Sequence, residues 1–304
     1  MLIPEDLIEE IARIYGYGNI PNRLPTITTA ANVHIDQNEF YWEDRVKDAF
    51  KYWGFTEVYT YPLVSETLSV KPLEDAVKVQ NQLSDDMVYM RRTLIPSLMQ
   101  VLGENKDHET IKIFEIANSY EKNGRDLPKQ MLRLAGIIKR PKVTFAEVKG
   151  VLEALFEDTG IKDVNWKLLD DKRYGATVFV GKKELGVVEI LDDSTIDFEL
   201  DFELFLQHVV LKKIYKPLSK FPPIVEDLAI NAPAHVLTGD LMDAIAMQSS
   251  LITAVSLLDK YKDTRTFHIV YQSYTKNLTD QEVGEIREKI LKVLQSKFNA
   301  KLKG

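Results

Sequence analysis

Asp227-Leu228-Ala229-Ile230-Asn231 reads as a strand, and the stretch running from it to Lys303 decides the fold of the C-terminal part of the chain. Thr238 to Met247 has helical spacing, Ile252 to Tyr261 and Thr266 to Tyr274 are strand-like, and Thr279 to Phe298 is a second helix. Thr279 and Glu282 spell a capping box, and Val283, Ile286, Ile290, Val293 and Phe298 supply that helix's expected buried stripe. Ala300 to Lys303 offers a short last strand. The order βαββαβ in so short a segment is a ferredoxin-like split βαβ unit.

Upstream, proline and lysine punctuate residues 212–223, a composition suited to a domain boundary. Before it, Glu5 to Tyr15 forms a short amphipathic helix with Leu7, Ile8, Ile11, Ala12 and Tyr15 on one face, stopped by Gly16 to Asn19 and Pro21. Asn22 to Val33 lacks periodicity and reads as a linker. A helix from about Asp36 carries Trp42, Val46, Ala49, Phe50 and Trp53 and ends at Gly54, followed by an extended piece from Thr56 to Tyr61. Thr93 is expected to cap a helix striped by Leu94, Ile95, Leu98, Met99 and Leu102. Strands are expected at Ile111–Ile116 and Met131–Ile138, around the turn Lys122-Asn123-Gly124-Arg125, and again at Ala176–Val180, Glu184–Ile190 and Asp197–Phe205. A helix built on Phe145, Val148, Val151, Leu152 and Leu155 lies between the two groups. Neighbouring strands with helices interspersed predict an α+β fold on a largely antiparallel sheet. The expected domains are 1–30, 31–211 and 212–304.

The chain has 304 residues, 45% of them apolar and 28% charged, which is ordinary globular composition rather than that of a disordered or fibrous chain. The absence of cysteine excludes a disulfide framework, thiolate metal sites and a cysteine nucleophile. No apolar run reaches membrane-spanning length and the first residues lack a signal-peptide pattern, so a cytoplasmic protein is expected. The net charge of −7 is uneven: from Lys212 to Gly304 there are 14 Lys/Arg against 10 Asp/Glu, net +4, leaving 25 against 36, net −11, before it. A C-terminal module facing a polyanion is compatible with that split.

Asp6, Glu9 and Glu10 converge on one helical face, an oxygen-only donor set suited to a hard cation such as Mg²⁺; acidic residues also favour a helix's first turns by complementing its dipole. Lys260, Tyr261, Lys262 and Arg265 interleave cations with a ring at the turn between two strands. Such a loop can meet phosphates and stack a base, or be a solvated hairpin diluted by Asp259 and Asp263. The five histidines stand at no metal-ligand spacing, and no glycine pattern cradles phosphate.

Several ordered motifs carry a resemblance. Glu5-Asp6-Leu7-Ile8-Glu9-Glu10-Ile11-Ala12-Arg13-Ile14-Tyr15-Gly16-Tyr17 with Asn19-Ile20-Pro21 comes first. Glu57-Val58-Tyr59-Thr60-Tyr61, Asn81-Gln82-Leu83-Ser84, Met90-Arg91-Arg92-Thr93-Leu94-Ile95-Pro96-Ser97-Leu98 and Phe114-Glu115-Ile116 follow in order, and Phe221-Pro222, Asp227-Leu228-Ala229-Ile230 and Leu278-Thr279-Asp280-Gln281-Glu282-Val283 complete the series. Together they resemble the C-terminal part of the bacterial phenylalanyl-tRNA synthetase beta chain. The resemblance implies the end of a helical domain, then a class II synthetase-like core, then a ferredoxin-fold anticodon-binding domain. It implies a chain without catalysis of its own, because Phe114-Glu115-Ile116 falls where active domains carry an ATP-clamping arginine and Leu185 to Ile190 near another.

By the same resemblance, ATP and phenylalanine are handled by a separate alpha chain, in a heterotetramer of two alpha and two beta chains that aminoacylates tRNA-Phe. Asp6, Glu9 and Glu10 match three of the four carboxylates that hold a Mg²⁺ shared with that alpha chain; the fourth position would precede Met1. The family's N-terminal editing and tRNA-binding domains have no counterpart, so hydrolysis of mischarged tRNA is not expected. Glu226 stands where the family usually has arginine, and the loop after Tyr261 is shorter, with Asp263 for a glycine, which implies weaker RNA affinity. Two other readings remain open at this point: a synthetase-like module that senses an amino acid and regulates another enzyme, and an independent enzyme, the latter disfavoured by the missing arginines.

Overall fold

The computed structural model describes residues 3–24, 39–124, 126–169, 174–211, 215 and 217–303. The chain divides into two compact units, Met1–Lys213 and Ile214–Gly304. In the first, α1 (Pro4–Tyr15) and α2 (Glu39–Tyr52) precede the strands β1 (Thr56–Glu57), β2 (Leu63–Val64) and β3 (Tyr89–Met90), then α3 (Ile95–Glu104). The long strands β4 (Ile111–Asn123) and β5 (Asp126–Lys139) follow, then α4 (Phe145–Thr159), β6 (Val164–Leu168), β7 (Tyr174–Val180), β8 (Lys183–Asp192), β9 (Thr195–Asp201) and α5 (Phe202–Leu206).

Seven of these strands form one sheet in the order β1-β4-β5-β9-β8-β7-β6. Every pair is antiparallel except β1 with β4. Side chains alternate across it with period two, and this sorts the packing. Phe114, Leu134, Val188, Phe198 and Leu200 face a core with Val46 and Phe50 of α2 and Val148, Leu152 and Leu155 of α4. Ile113, Ala135 and Ile137 face the other way, against Leu94, Leu98 and Leu102.

Several boundaries differ from the sequence reading. The expected strands 111–116 and 131–138 are the buried parts of a longer hairpin, since the polar Asn118–Asn123 and Asp126–Gln130 keep backbone pairing beyond the apolar pattern. Strand β6 escaped the sequence reading although Val164, Trp166 and Leu168 alternate with Asn165 and Lys167; it is five residues long, and only Val164 and Trp166 pack, half-buried, against the core. Residues 202–205 are helical rather than extended, because the Asp201 carboxylate accepts from the Leu204 N–H at 2.8 Å and caps α5. Helix α3 begins one residue later than expected: Leu94 is the cap residue, while the Thr93 hydroxyl accepts from the Ile95 N–H at 3.3 Å. Of the expected linker, residues 25–33 lie outside the described residues, as does Asp36.

The second unit holds β10 (Ile224–Asn231), α6 (Thr238–Ala246), β11 (Ile252–Tyr261), β12 (Thr264–Tyr271), α7 (Asp280–Phe298) and β13 (Lys301–Leu302). Its sheet runs β11-β12-β10-β13, all antiparallel. Thr279 and Glu282 form the capping box, and α7 ends at Asn299 in the left-handed conformation, φ 52°. The helix turns Val283, Ile286, Ile290 and Leu294 inward, with Val293 and Phe298 only partly buried, so the stripe follows the 3.6 period one residue further on than expected. Leu228, Ile230, Phe267, Ile269 and Tyr271 meet it and α6 from the sheet.

Candidate functional site

The α3 side of the seven-stranded sheet is where the sequence reading seeks an arginine clamp, and carboxylates stand there instead. Glu115, 1% exposed, sits on β4 among apolar neighbours. Arg91, just after β3, points both terminal nitrogens at its Oε1, each at 3.2 Å, and its Nε donates to the Asn118 carbonyl at 3.0 Å. The Thr60 hydroxyl accepts from Arg91 at 2.6 Å and donates to Glu115 Oε2 at 2.6 Å, while the Thr60 N–H donates to Oε1 at 3.1 Å. A buried ion pair is tolerated only with its remaining donors and acceptors satisfied, and this one is. Arg91 is thereby committed to the protein and has no free edge for a phosphate.

Two strands away, Glu189 of β8 and Asp197 of β9 are register partners, and Glu199 follows Asp197 on the same face. The Asp197 carboxyl is pushed up to about 7, by burial first and then by Glu189 and Glu199. Glu199 is anchored: its Oε1 accepts from the Leu94 N–H at 2.7 Å and the Thr93 hydroxyl at 2.8 Å, fixing the start of α3. Across the Leu185–Ile190 run, Leu185 and Val188 enter the core and leave Val187 and Glu189 on this face. Carboxylates so arranged are no clamp for the polyphosphate of ATP. Beside it, a cleft of about 590 Å³ is lined by Tyr59, Thr60, Tyr61, Ser97 and Glu104, among others.

The metal candidates lie on α1, whose residues are all exposed or half-buried, including Leu7, Ile8, Ile11 and Tyr15, which the sequence reading would bury. Asp6 Oδ2 accepts from the Ile3 N–H at 3.1 Å, closing the helix start, and Glu10 pairs with Arg13 at 2.5 Å. With two of the three carboxylates so engaged, Asp6, Glu9 and Glu10 do not make a metal cage by themselves; among the described residues no group of three or more His, Asp or Glu is placed to hold a metal ion.

The four RNA candidates separate. Tyr261 opposes Thr264 across the β11–β12 turn, with Lys262 at φ 54° and its Nζ 5.4 Å from the Tyr261 ring centre. Lys260 and Arg265 oppose each other one step in, on the side of Phe267, Ile269 and Tyr271, which faces the helices, and Arg265 is 2% exposed. On the other side of the same sheet His268 Nδ1 meets Asp227 Oδ1 at 2.7 Å. Glu226 is internal to the unit: it pairs with Arg287 of α7 and accepts from the Tyr271 hydroxyl at 3.3 Å, and burial first, then the Glu226 charge and this bond, raise that phenol.

Sequence reasoning missed the Arg91–Glu115–Thr60 network and the carboxylate trio. The signal was present in Ile113-Phe114-Glu115-Ile116 and Ile196-Asp197-Phe198: a charge within an apolar strand marks a buried acid in need of partners.

A largely antiparallel sheet with helices on both faces and acids where a nucleotide clamp is expected, followed by a ferredoxin-like unit, defines an α+β chain with a synthetase-like core. Residues 20–205 match the model of the phenylalanyl tRNA synthetase beta chain CLM domain, and 219–303 that of the ferredoxin-fold anticodon binding domain. The chain belongs to the phenylalanyl-tRNA synthetase beta-chain family. It is similar to the phenylalanine–tRNA ligase beta subunits of Carboxydothermus hydrogenoformans and Moorella thermoacetica, at 28% and 29% identity over 98% of this chain. It spans 42% of the length of these relatives. A solved pyrrolysyl-tRNA synthetase from Desulfitobacterium hafniense aligns at TM-score 0.48 and 16% identity, covering 56% of this chain and 68% of that one. Among the described residues no helix is long and apolar enough to cross a membrane.

Proposed function

We propose that the chain is a non-catalytic beta-chain component of a phenylalanine–tRNA ligase, which scaffolds a catalytic alpha chain and meets tRNA-Phe through its ferredoxin-like unit. The observation that carries this reading is the carboxylate-lined face: Glu115 stands where an arginine clamp is expected and takes up Arg91 together with Thr60, and Asp197 lies beside Glu189 and Glu199. Activation of phenylalanine with ATP then belongs to the alpha chain, in a cytoplasmic assembly of two alpha and two beta chains. We assign residues 1–30 to the end of a helical domain, 31–211 to the synthetase-like core and 212–304 to the anticodon-binding domain. Lys260, Tyr261, Lys262 and Arg265 are the proposed RNA contacts.

Because Asp6 and Glu10 are engaged within α1, the acidic face of that helix serves Mg²⁺ only in company with ligands from the partner. The chain alone should show no Mg²⁺-dependent rise in melting temperature at millimolar metal; a saturable rise would mean that the three carboxylates suffice.

The deciding experiment is aminoacylation of tRNA-Phe by the cognate alpha chain with and without this chain, alongside a sizing column. Stimulation with co-elution is the expected result. Pyrophosphate exchange by this chain alone, or calorimetric binding of free phenylalanine without the alpha chain, would overturn it in favour of an independent enzyme or an amino-acid sensor.

A further inference from the structure

Arg265 is a buried cation of the second unit with unmet donors. Its Nε and Nη1 are buried and make no hydrogen bond, although a buried guanidinium ordinarily finds carboxylate or carbonyl acceptors. Strand β12 alternates, so Arg265 shares the helix-facing side with Phe267, Ile269 and Tyr271. Its register partner on β10 is Ile230, which offers no charge. Its partner on β11 is Lys260, a second cation directly opposite, an arrangement that destabilises a strand pair unless something negative lies between.

Among the described residues no acceptor lies within hydrogen-bond distance of Nε or Nη1. Asp259 opposes Thr266 and so stands on the other side of the sheet, and neither Asp259 nor Asp263 makes an ion pair among the described residues. Helix α6 starts from this same end, seven residues after Asn231, which opposes Thr264, and its cap residue Leu237 makes no side-chain capping bond, so its first N–H groups bring no negative charge there. Asp240 in its first turn is exposed. Helix α7 ends here too, with its Leu294 and Gln295 carbonyls accepting from the Ala300 and Asn299 N–H groups.

We propose that Lys260 and Arg265 form an oxyanion site for a phosphate group at the hairpin end of the four-stranded sheet, on its helix-facing side. A phosphate brings several acceptor oxygens and the negative charge that a guanidinium and an ammonium across one strand pair lack. Exposed Lys260 gives the approach, and Arg265 is the buried anchor. The site deepens the proposed RNA contact and rests on it for one point only, the source of the phosphate: a tRNA backbone or free inorganic phosphate.

The test uses the full chain. Inorganic phosphate, compared with chloride at matched ionic strength, should raise the melting temperature of the wild type. Arg265→Met should abolish that phosphate-specific rise while melting above the wild type in phosphate-free buffer, and Lys260→Ala, at an exposed position, should weaken the apparent phosphate affinity several-fold. A wild type that responds alike to phosphate and chloride overturns the site, as does an undiminished rise in Arg265→Met and Lys260→Ala. A tRNA arm separates the sources. Several-fold weaker tRNA binding by both variants identifies the RNA backbone, and unchanged tRNA binding alongside a lost phosphate response supports a site for free phosphate. Loss of tRNA binding in the wild type with the phosphate response intact would overturn the RNA reading and keep the site, whereas normal tRNA binding with no phosphate response would do the reverse.

Discussion

Glu115 and Asp197 face the same side of one sheet and solve burial in opposite ways. Glu115 is buried with Arg91 and Thr60 as partners for both of its oxygens. Removing one member leaves the other charge stranded, so Glu115→Ala should cost roughly 3–5 kcal/mol in urea unfolding, and the double change Arg91→Met with Glu115→Leu much less than the two single costs together. Additive losses would mean that the pair is not a unit. Asp197 makes no ion pair among the described residues and holds its proton up to about 7, against an ordinary value of 3.8. The folded state therefore binds the proton more tightly than the unfolded chain does. Its contribution is complete below about pH 4 and is lost as pH rises through about 7. Asp197→Asn should flatten that fall and be the more stable protein at pH 8, by an amount on the order of 4 kcal/mol, since one pKa unit is about 1.4 kcal/mol. Urea midpoints at pH 5 and pH 8 read it, and parallel pH profiles for the two proteins would refute it. Both acids were visible in the sequence as charges in apolar strands, but which one has a cation is decided by Arg91, distant in the chain, and no local pattern carries that.

At the scale of elements, the sequence was most legible where one face is apolar and the ends carry caps. Helix α7 has both: Thr279 with Glu282 at its start and four buried residues at helical spacing. The ferredoxin-like order could therefore be read from periodicity alone. Legibility failed where pairing outlasts the apolar pattern, as in the polar end of the β4–β5 hairpin, and where a side chain ends a strand, as Asp201 does. Two glycines stand inside expected strands, where the sequence alone gives no reason for a residue without a side chain. A Cβ on Gly186 of β8 would lie 2.2 Å from the Glu199 carbonyl, and one on Gly136 of β5 would lie 2.5 Å from the Phe198 ring. The obstacle at Gly186 is backbone on the neighbouring strand, which cannot swing aside. Gly186→Ala should force β8 from β9, destabilise by about 1–3 kcal/mol and, through Glu199, loosen the start of α3. Thermal unfolding and amide exchange at Leu94 check both parts; a stable protein with unchanged protection at Leu94 would show that the two strands yield more easily than the geometry implies.

For the molecule as a whole, each unit has its own core, and the charge divides between them. Residues 212–304 carry net +4 and the rest −11, so the proposed polyanion ligand meets an attractive module tethered to a repulsive one. Contacts at the ferredoxin-like unit act within a few ångströms and survive in moderate salt, whereas the field of the other unit is screened beyond a Debye length, about 30 Å at 0.01 M and 8 Å at 0.15 M. The consequence is a difference between whole chain and fragment that depends on salt. A fragment of residues 212–304 should fold on its own core and bind tRNA more tightly than the whole chain at 10 mM salt, with the two affinities converging near 150 mM. The slope of log affinity against log salt should then be steeper for the fragment, because repulsion from the acidic unit weakens as salt rises and partly cancels the loss of phosphate contacts in the whole chain. Filter binding across that salt range measures both slopes. Equal affinities at low salt would mean that the acidic unit's field does not reach the bound RNA, and a weaker fragment would mean that the first unit itself contributes to holding the tRNA.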